Sequence, residues 1–352
     1  MFRTLIKCIF ATFLNFSVYN RLALSYDNLK QPKFFKIMLN RRHIRIKVMQ
    51  ALYALSQSEQ PDLLKEEKFL NASTAQMYDL YLVLIDLVVE IHAHAKDMME
   101  RSQLKMLATE SEKNPNLKFI NNEVLVKLSE NELLQKELKK AKLNNWRLDN
   151  EYVVLIYNEL MKSDFYDAYM SDTESDFKKD RDFVIDFFSE FVAPNDKLYD
   201  YLEDYRITWV DDLPVVNTTI VKRLGKIKPN SPESTIIPKL YKDEEDRQYT
   251  KDLLLRTARN NEEYEAEILG NTPNWDQDRI ATLDKILIKM ALCEFLRFPS
   301  IPIKVTINEY LELSKEYSTP KSSIFVNGVL DRLVKKYKKE SRLNKAGRGL
   351  IE

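Results

Sequence analysis

From residue 44 onward the apolar positions recur at helical spacing. Ile44, Val48, Ala51, Leu52 and Leu55 share one stripe over 44–55, and Tyr78, Leu82, Ile85, Val89 and His92 keep register through a long run over 76–107. Asn114-Pro115-Asn116 interrupts that run, and the charged segment 128–142 reads as a solvated helix. Further helices are predicted near 150–170, 180–192, 196–205 and 212–224, and residues 225–239, with Pro229, Pro232 and Pro238, read as a linker. Next, Asn274 or Asp276 is placed to cap a helix carrying Ile280, Leu283, Leu287 and Met290, and Pro299 and Pro302 bound the loop after it. Thr306 with Glu309 has capping-box spacing ahead of Ile307 and Leu311. Ser322 or Ser323 is expected to cap a last helix whose apolar face is Val326, Val329, Leu330 and Leu333.

Glycine usage sharpens this all-α reading. There are five glycines, the first at Gly225, so few cheap positive-φ positions exist for tight hairpins. With 44% hydrophobic residues the chain has material for a real core. No run was expected to reach the roughly 20 apolar residues of a membrane span. Residues 180–224 also match 246–290 without gaps, at Asp180/Asp246, Arg181/Arg247, Asp186/Asp252, Asn195/Asn261, Trp209/Trp275 and Asp212/Asp278. Six identities are little above chance, and a decayed duplication is one reading of them.

Lys+Arg and Asp+Glu balance at 54 each, so only their distribution is informative. Residues 1–50 hold ten bases against Asp27 alone, residues 335–352 hold seven against two acids, and 164–204 reverse the sign with thirteen acids and four bases. Basic ends around an acidic centre suggest a localised anion-binding surface, with solvated helix faces as the plainer alternative. Cys8 and Cys293 have no metal or disulfide spacing, which fits a reducing cytoplasm. Residues 1–37 are expected to be an extension upstream of Met38, with a targeting segment as the alternative.

Catalysis finds no support. The glycines assemble neither a Walker loop nor a dinucleotide fingerprint, and there is no nucleophile elbow, metal motif or cofactor motif. His92 and His94 are two apart, hence on opposite sides of a helix and unsuited to sharing a metal. The informative cluster is Arg41, Arg42, His43, Arg45 and Lys47, at the start of an amphipathic helix, where several phosphates can be neutralised. Arg42 and Tyr53 share the face away from the first apolar stripe, a cation beside a stacking platform, as single-stranded RNA requires. The equal alternative makes Ile46, Met49 and Tyr53 a second buried stripe.

At these residues a family resemblance appears. The segment 41–60, with Val48-Met49-Gln50-Ala51-Leu52-Tyr53, resembles the opening helix of NusB proteins. Far downstream, Asp284, Ala291-Leu292, Glu294, Ile301-Pro302, Asn308-Glu309, Glu312-Leu313, Lys315 and Phe325 through Asp331 follow the family's C-terminal half in order, with Cys293 where a tyrosine is usual. The resemblance covers 38–60 and 246–336. It implies an all-α, NusB-like bundle of two helical subdomains interrupted by a large helical insertion, and a non-enzymatic antitermination factor. Such a factor binds boxA in nascent RNA with the ribosomal protein NusE, within the RNA polymerase antitermination complex. By the same resemblance, RNA contacts fall on Arg41, Arg42, His43, Arg45, Lys47, Tyr53 and Phe325, and partner contacts on Asp284, Lys285, Lys321 and Phe325.

The expected organisation is therefore an extension over 1–37, a basic helix over 38–60, an insertion over 61–245, a C-terminal core over 246–336 and a basic tail over 337–352. Membrane and cofactor have no place in it. Two rivals stand beside it: a helical scaffold that has lost antitermination activity, and an RNA cytosine methyltransferase carrying a NusB-like domain. The second would need the Gly-rich α/β domain that the first 224 residues cannot supply.

Overall fold

Without glycine to punctuate them, the helices begin at short polar side chains. Asn40 opens α1 (Arg41–Gln57) by accepting the His43 amide at 3.0 Å. Asp62 likewise accepts the Leu64 and Lys65 amides at the start of α2 (Leu63–Gln103). The computed structural model describes residues 38–174, 176–272 and 280–346, which form helices and no strand. The extension over 1–37 with Cys8, the cap candidates Asn274 and Asp276, the repeat residues Trp275 and Asp278, and the tail from 347 lie outside the described residues.

The chain divides into two compact units. A central unit holds Ala75–Leu240, and a terminal unit combines Leu39–Thr74 with the described residues from Tyr241 onward. Helix α2 belongs to the terminal unit up to Thr74 and to the central unit beyond it. It starts thirteen residues earlier than its pattern suggested, because Asp62 caps it there. From Leu80 to Ile85 every side chain is buried, so the helix is apolar on all sides. By length and composition alone α2 could cross a membrane, although Asp79, Asp86 and Glu90 interrupt its apolar run. Yet 67% of that stretch is buried inside the protein, as in the core helix of a globular unit.

The rest of the central unit is a succession of short helices: α3 (Glu110–Lys113), α4 (Glu123–Ser129), α5 (Glu132–Ala141), α6 (Asn145–Leu148), α7 (Glu151–Met161), α8 (Asp164–Ser171), α9 (Phe177–Phe187), α10 (Asp196–Tyr205) and α11 (Leu213–Leu224). Asn122, Asn131, Ser163, Asp176 and Asn195 cap five of them through their side chains. The segment 128–142 is not one solvated helix. It breaks at Asn131, and Leu134 and Leu138 are buried. At the end of α5, Lys142 takes the left-handed conformation (φ 55°) that glycine usually supplies. The supposed linker 225–239 is also no linker. Ile227 and Ile236 are buried, Arg223 donates to the Thr235 carbonyl at 3.0 Å, and Asn131 donates to that of Glu233 at 3.1 Å.

The terminal unit adds α12 (Glu244–Arg259), α13 (Asn261–Gly270), α14 (Thr282–Arg297), α15 (Ile303–Tyr317) and α16 (Ser322–Lys339) to α1. Helix α1 packs on α12 and α14, and α14 packs on α15 and α16. Neither cap expected here forms. Helix α15 opens at Pro302, one turn before Thr306, whose hydroxyl turns inward to Glu294. Helix α16 has no side-chain cap, and the Ser322 hydroxyl donates to Asp284 instead.

A shift of 66 residues lays α10 on α13 and α11 on the first part of α14. Asp180 and Asp246, paired by that shift, occupy equivalent places in their own units. Each lies in the first turn of its helix and holds the first residue of an Asn-capped helix. Asp180 accepts the Glu123 amide at 2.8 Å, and Asp246 accepts Arg41 Nε at 2.8 Å.

Candidate nucleic-acid interface

The basic tract lies on the first two turns of α1, and the helix phase gives its members different fates. Arg45 points inward. Its guanidinium is buried and makes two bonds to Glu294, at 2.7 and 3.0 Å, with a third at 3.4 Å to Glu309. Glu294 is wholly buried and also accepts the hydroxyls of Tyr249 (2.5 Å), Tyr310 (2.8 Å) and Thr306 (2.9 Å). Burial alone would push the Glu294 carboxyl up, but Arg45 and the two tyrosine hydroxyls hold it below the usual carboxylate range. Burial, with the charge of Glu294, drives both phenols well above theirs. Arg45 is therefore an internal ion-pair partner, which corrects its assignment as an RNA contact.

Arg41 and Arg42 keep side-chain exposures of 32% and 40%. Arg41 bonds Glu245 and Asp246, both at 2.8 Å, and its guanidinium lies 5.1 Å from the centre of the Tyr249 ring. Arg42 bonds both oxygens of Glu309, at 3.1 and 3.3 Å. Both arginines face solvent on one side and an acidic partner on the other. An incoming phosphate would have to compete with those carboxylates.

The remaining candidates divide in the same way. His43 is half-buried, and burial followed by the charges of Lys47 and Arg42 pushes its imidazole down to about 4, so it is neutral near pH 7 and adds no charge against phosphate. Lys47 is buried, as are Ile46 and Met49, so the second apolar stripe exists. Tyr53 is half-buried at its edge. Phe325 is 7% exposed and belongs to the core, whereas its neighbour Ile324 is 75% exposed. Asp284, expected beside the core and open to a partner, is buried with the Ser322 hydroxyl 2.7 Å away, and burial raises its carboxyl. Lys285 pairs with Glu265 at 3.6 Å, and Lys321 is exposed at the head of α16.

The described part of the basic tail is engaged within the unit. Arg342 bonds Glu263 and Glu267, and Lys345 donates to the carbonyls of Glu294 and Phe298 at the end of α14. His92 Nε2 is 2.8 Å from the Ile120 carbonyl, and the His94 ring packs edge-on against Tyr157. Among the described residues no group of three or more His, Cys, Asp or Glu side chains is placed to hold a metal ion. Cys293 is buried, which pushes its thiol up to about 11.

Sequence reasoning missed Glu245, Asp246 and Glu309 as competitors for the arginines, and Ile324 as the exposed apolar residue. A signal for Ile324 was present: Phe325 precedes Val329 by four residues and Leu333 by eight, which places it on the buried stripe, with Ile324 turned away.

The profile of the NusB family matches residues 230–335, which include α12 to α15 and most of α16 but not α1. The chain is 41% identical over 112 residues to the transcription antitermination protein NusB of Salinibacter ruber (strain DSM 13855 / M31), a match covering 32% of this chain and 70% of that protein. It is 42% identical over 93 residues to the protein of the same name from Chloroherpeton thalassium (strain ATCC 35110 / GB-78), covering 26% of this chain and 44% of the relative. A third, from Clostridium botulinum (strain Alaska E43 / Type E3), is 40% identical over 88 residues, 25% of this chain and 66% of the relative. No solved structure matches. Forty-one per cent identity across more than two-thirds of a relative, on helices that share one core, settles the family: the chain belongs to the NusB family.

Proposed function

We propose that this chain is a cytoplasmic, non-catalytic transcription antitermination factor that binds boxA-containing nascent RNA together with the ribosomal protein NusE, as part of the RNA polymerase antitermination complex. The observation that carries the reading is the 41% identity to the Salinibacter ruber antitermination protein over 70% of its length. In this reading residues 38–60 and 246–336 form the working core, and the insertion over 61–245 is additional to it. Arg41 and Arg42, partly exposed on α1, take phosphates by exchanging them for Glu245 and Glu309, and Tyr53 offers its half-exposed ring to a base. The partner surface is drawn around Lys285, Lys321 and the exposed Ile324 rather than the buried Asp284 and Phe325.

A scaffold that has kept the fold and lost RNA binding is the second reading. It is favoured by one observation: all three arginines of the tract are ion-paired within the chain. Titration of boxA RNA at several salt concentrations, with and without NusE, separates the two. A salt-dependent complex that tightens with NusE supports antitermination, and no binding under either condition leaves the scaffold.

A further inference from the structure

Within the central unit, α7 and α10 run antiparallel, with Tyr152 on Tyr201 at one end (ring centres 4.6 Å apart) and Asn195 bonded to Glu159 toward the other. Along α7 lies an open groove of about 590 Å³ lined by Glu151, Val154, Leu155 and Lys162, with Lys197 contributed by α10. From Tyr201 a ladder of rings continues through Tyr205, 45% exposed, to Trp209. We propose that this face docks a cationic, amphipathic segment of a partner protein. An arginine or lysine enters at Tyr152 and Tyr201, and an apolar side chain lies along Val154 and Leu155.

Charge fixes the kind of partner and its direction. Glu151, Asp200 and Asp204 are exposed at the tyrosine end with no ion-pair partner among the described residues, and Asp149 accepts the Tyr201 hydroxyl. Partial burial, followed by the charges of Glu151, Asp149, Asp200 and Asp204, raises the Tyr152 phenol. Lys162 stands at the opposite end of the groove, roughly 15 Å along α7, and keeps a cation away from that end, while Lys197 lines the groove one turn of α10 before Tyr201. Beside Tyr201, the buried Asn145 donates to the phenol at 2.8 Å.

The central unit uses the same chemistry internally. Arg206 lies over Tyr205 (5.5 Å) and Trp209 (5.0 Å) and pairs with Asp79 at 2.8 Å. The Tyr152 end repeats those ingredients, rings and carboxylates, without the cation. RNA does not suit such a face, because like charges repel.

The test uses the full chain and a fluorescein-labelled helical peptide with arginine and leucine at amphipathic spacing, read by anisotropy. Binding is expected to weaken at least about tenfold when citrulline replaces arginine, when serine replaces leucine, and in the Asp200→Lys/Asp204→Lys protein. Glu151→Lys gives a second, independently exposed position should the double variant melt early. Equal affinity for the citrulline peptide, or parental affinity in both charge-reversed proteins, overturns the proposal. So does equal affinity for the serine peptide, which would reduce the site to unspecific charge attraction. RNA binding is measured separately through Arg41 and Arg42, so failure of the antitermination reading and failure of this one are distinct results.

Discussion

Arg45 on α1 and Glu294 on α14, separated by 249 residues of sequence, meet through two bonds of 2.7 and 3.0 Å inside the terminal unit. This pair joins the first helix of the unit to its C-terminal part across everything the insertion places between them. Removing one member leaves a buried charge unsatisfied. Arg45→Ala is expected to cost about 3–5 kcal/mol in urea denaturation. Arg42→Ala, which breaks a part-exposed pair, should cost no more than ~1 kcal/mol. Equal costs would show that Arg45 is not the internal link described.

Because Arg42 is held by Glu309, RNA affinity should respond to both residues in opposite directions. Arg42→Ala removes one phosphate contact and lowers the salt slope for single-stranded RNA by roughly 0.7. Glu309→Gln frees the guanidinium and is expected to tighten boxA binding severalfold at low salt. Filter binding across a salt series checks both, and a Glu309→Gln protein that binds more weakly than the parent would place Glu309 itself on the RNA side.

The helices were legible because their apolar period is regular, and α10 and α11 lie where the pattern placed them, α11 to within a residue at its start. What escaped was decided by pairing across the sequence. A basic tract looks the same in one dimension whether its cations meet solvent or carboxylates, and only the fold brings Glu294 and Glu309 to Arg45 and Arg42. Proline content likewise suggested a linker at 225–239, since composition does not reveal that Ile227 and Ile236 find apolar surroundings. Thr306 and Ser322 had cap chemistry, but each hydroxyl is claimed by a buried carboxylate, which is the stronger acceptor.

Lys142 ends α5 in a left-handed conformation that costs an L-residue with a side chain more than it costs glycine. Lys142→Gly is expected to stabilise the protein by about 0.5–1 kcal/mol, the relief of strain exceeding the added entropy of the unfolded chain. Thermal denaturation of the variant reads this directly, and a lowered melting temperature would refute it.

Asp284 has its carboxyl raised by burial, so the folded protein holds that proton more tightly than the unfolded chain does. Its contribution to stability is complete below the ordinary carboxyl value of 3.8 and is lost as pH rises through the raised folded value. Asp284→Asn should therefore flatten that part of the stability-versus-pH curve, with its largest benefit near neutral pH. Asp284→Lys should destabilise by several kcal/mol, since it buries an unpaired cation beside Ser322. Denaturant midpoints taken across the acidic range distinguish this from a surface role, in which neither substitution would move them.

At the head of α16, two adjacent apolar residues face opposite ways. Phe325, 7% exposed, fills the core of the terminal unit, and Ile324, 75% exposed, stands in solvent one residue earlier. Truncating the first opens a cavity, so Phe325→Ala is expected to cost about 3–5 kcal/mol of stability. Truncating the second removes little that the folded chain buries, so Ile324→Ala should stay within ~0.5 kcal/mol of the parent. If the partner surface runs past Lys321, Ile324 is its apolar anchor. NusE affinity should then fall by about 1–2 kcal/mol in Ile324→Ala without loss of stability. Calorimetric titration of NusE into both variants, beside their melting curves, decides the matter: a stable Ile324→Ala protein that binds NusE like the parent moves the partner surface away from the start of α16.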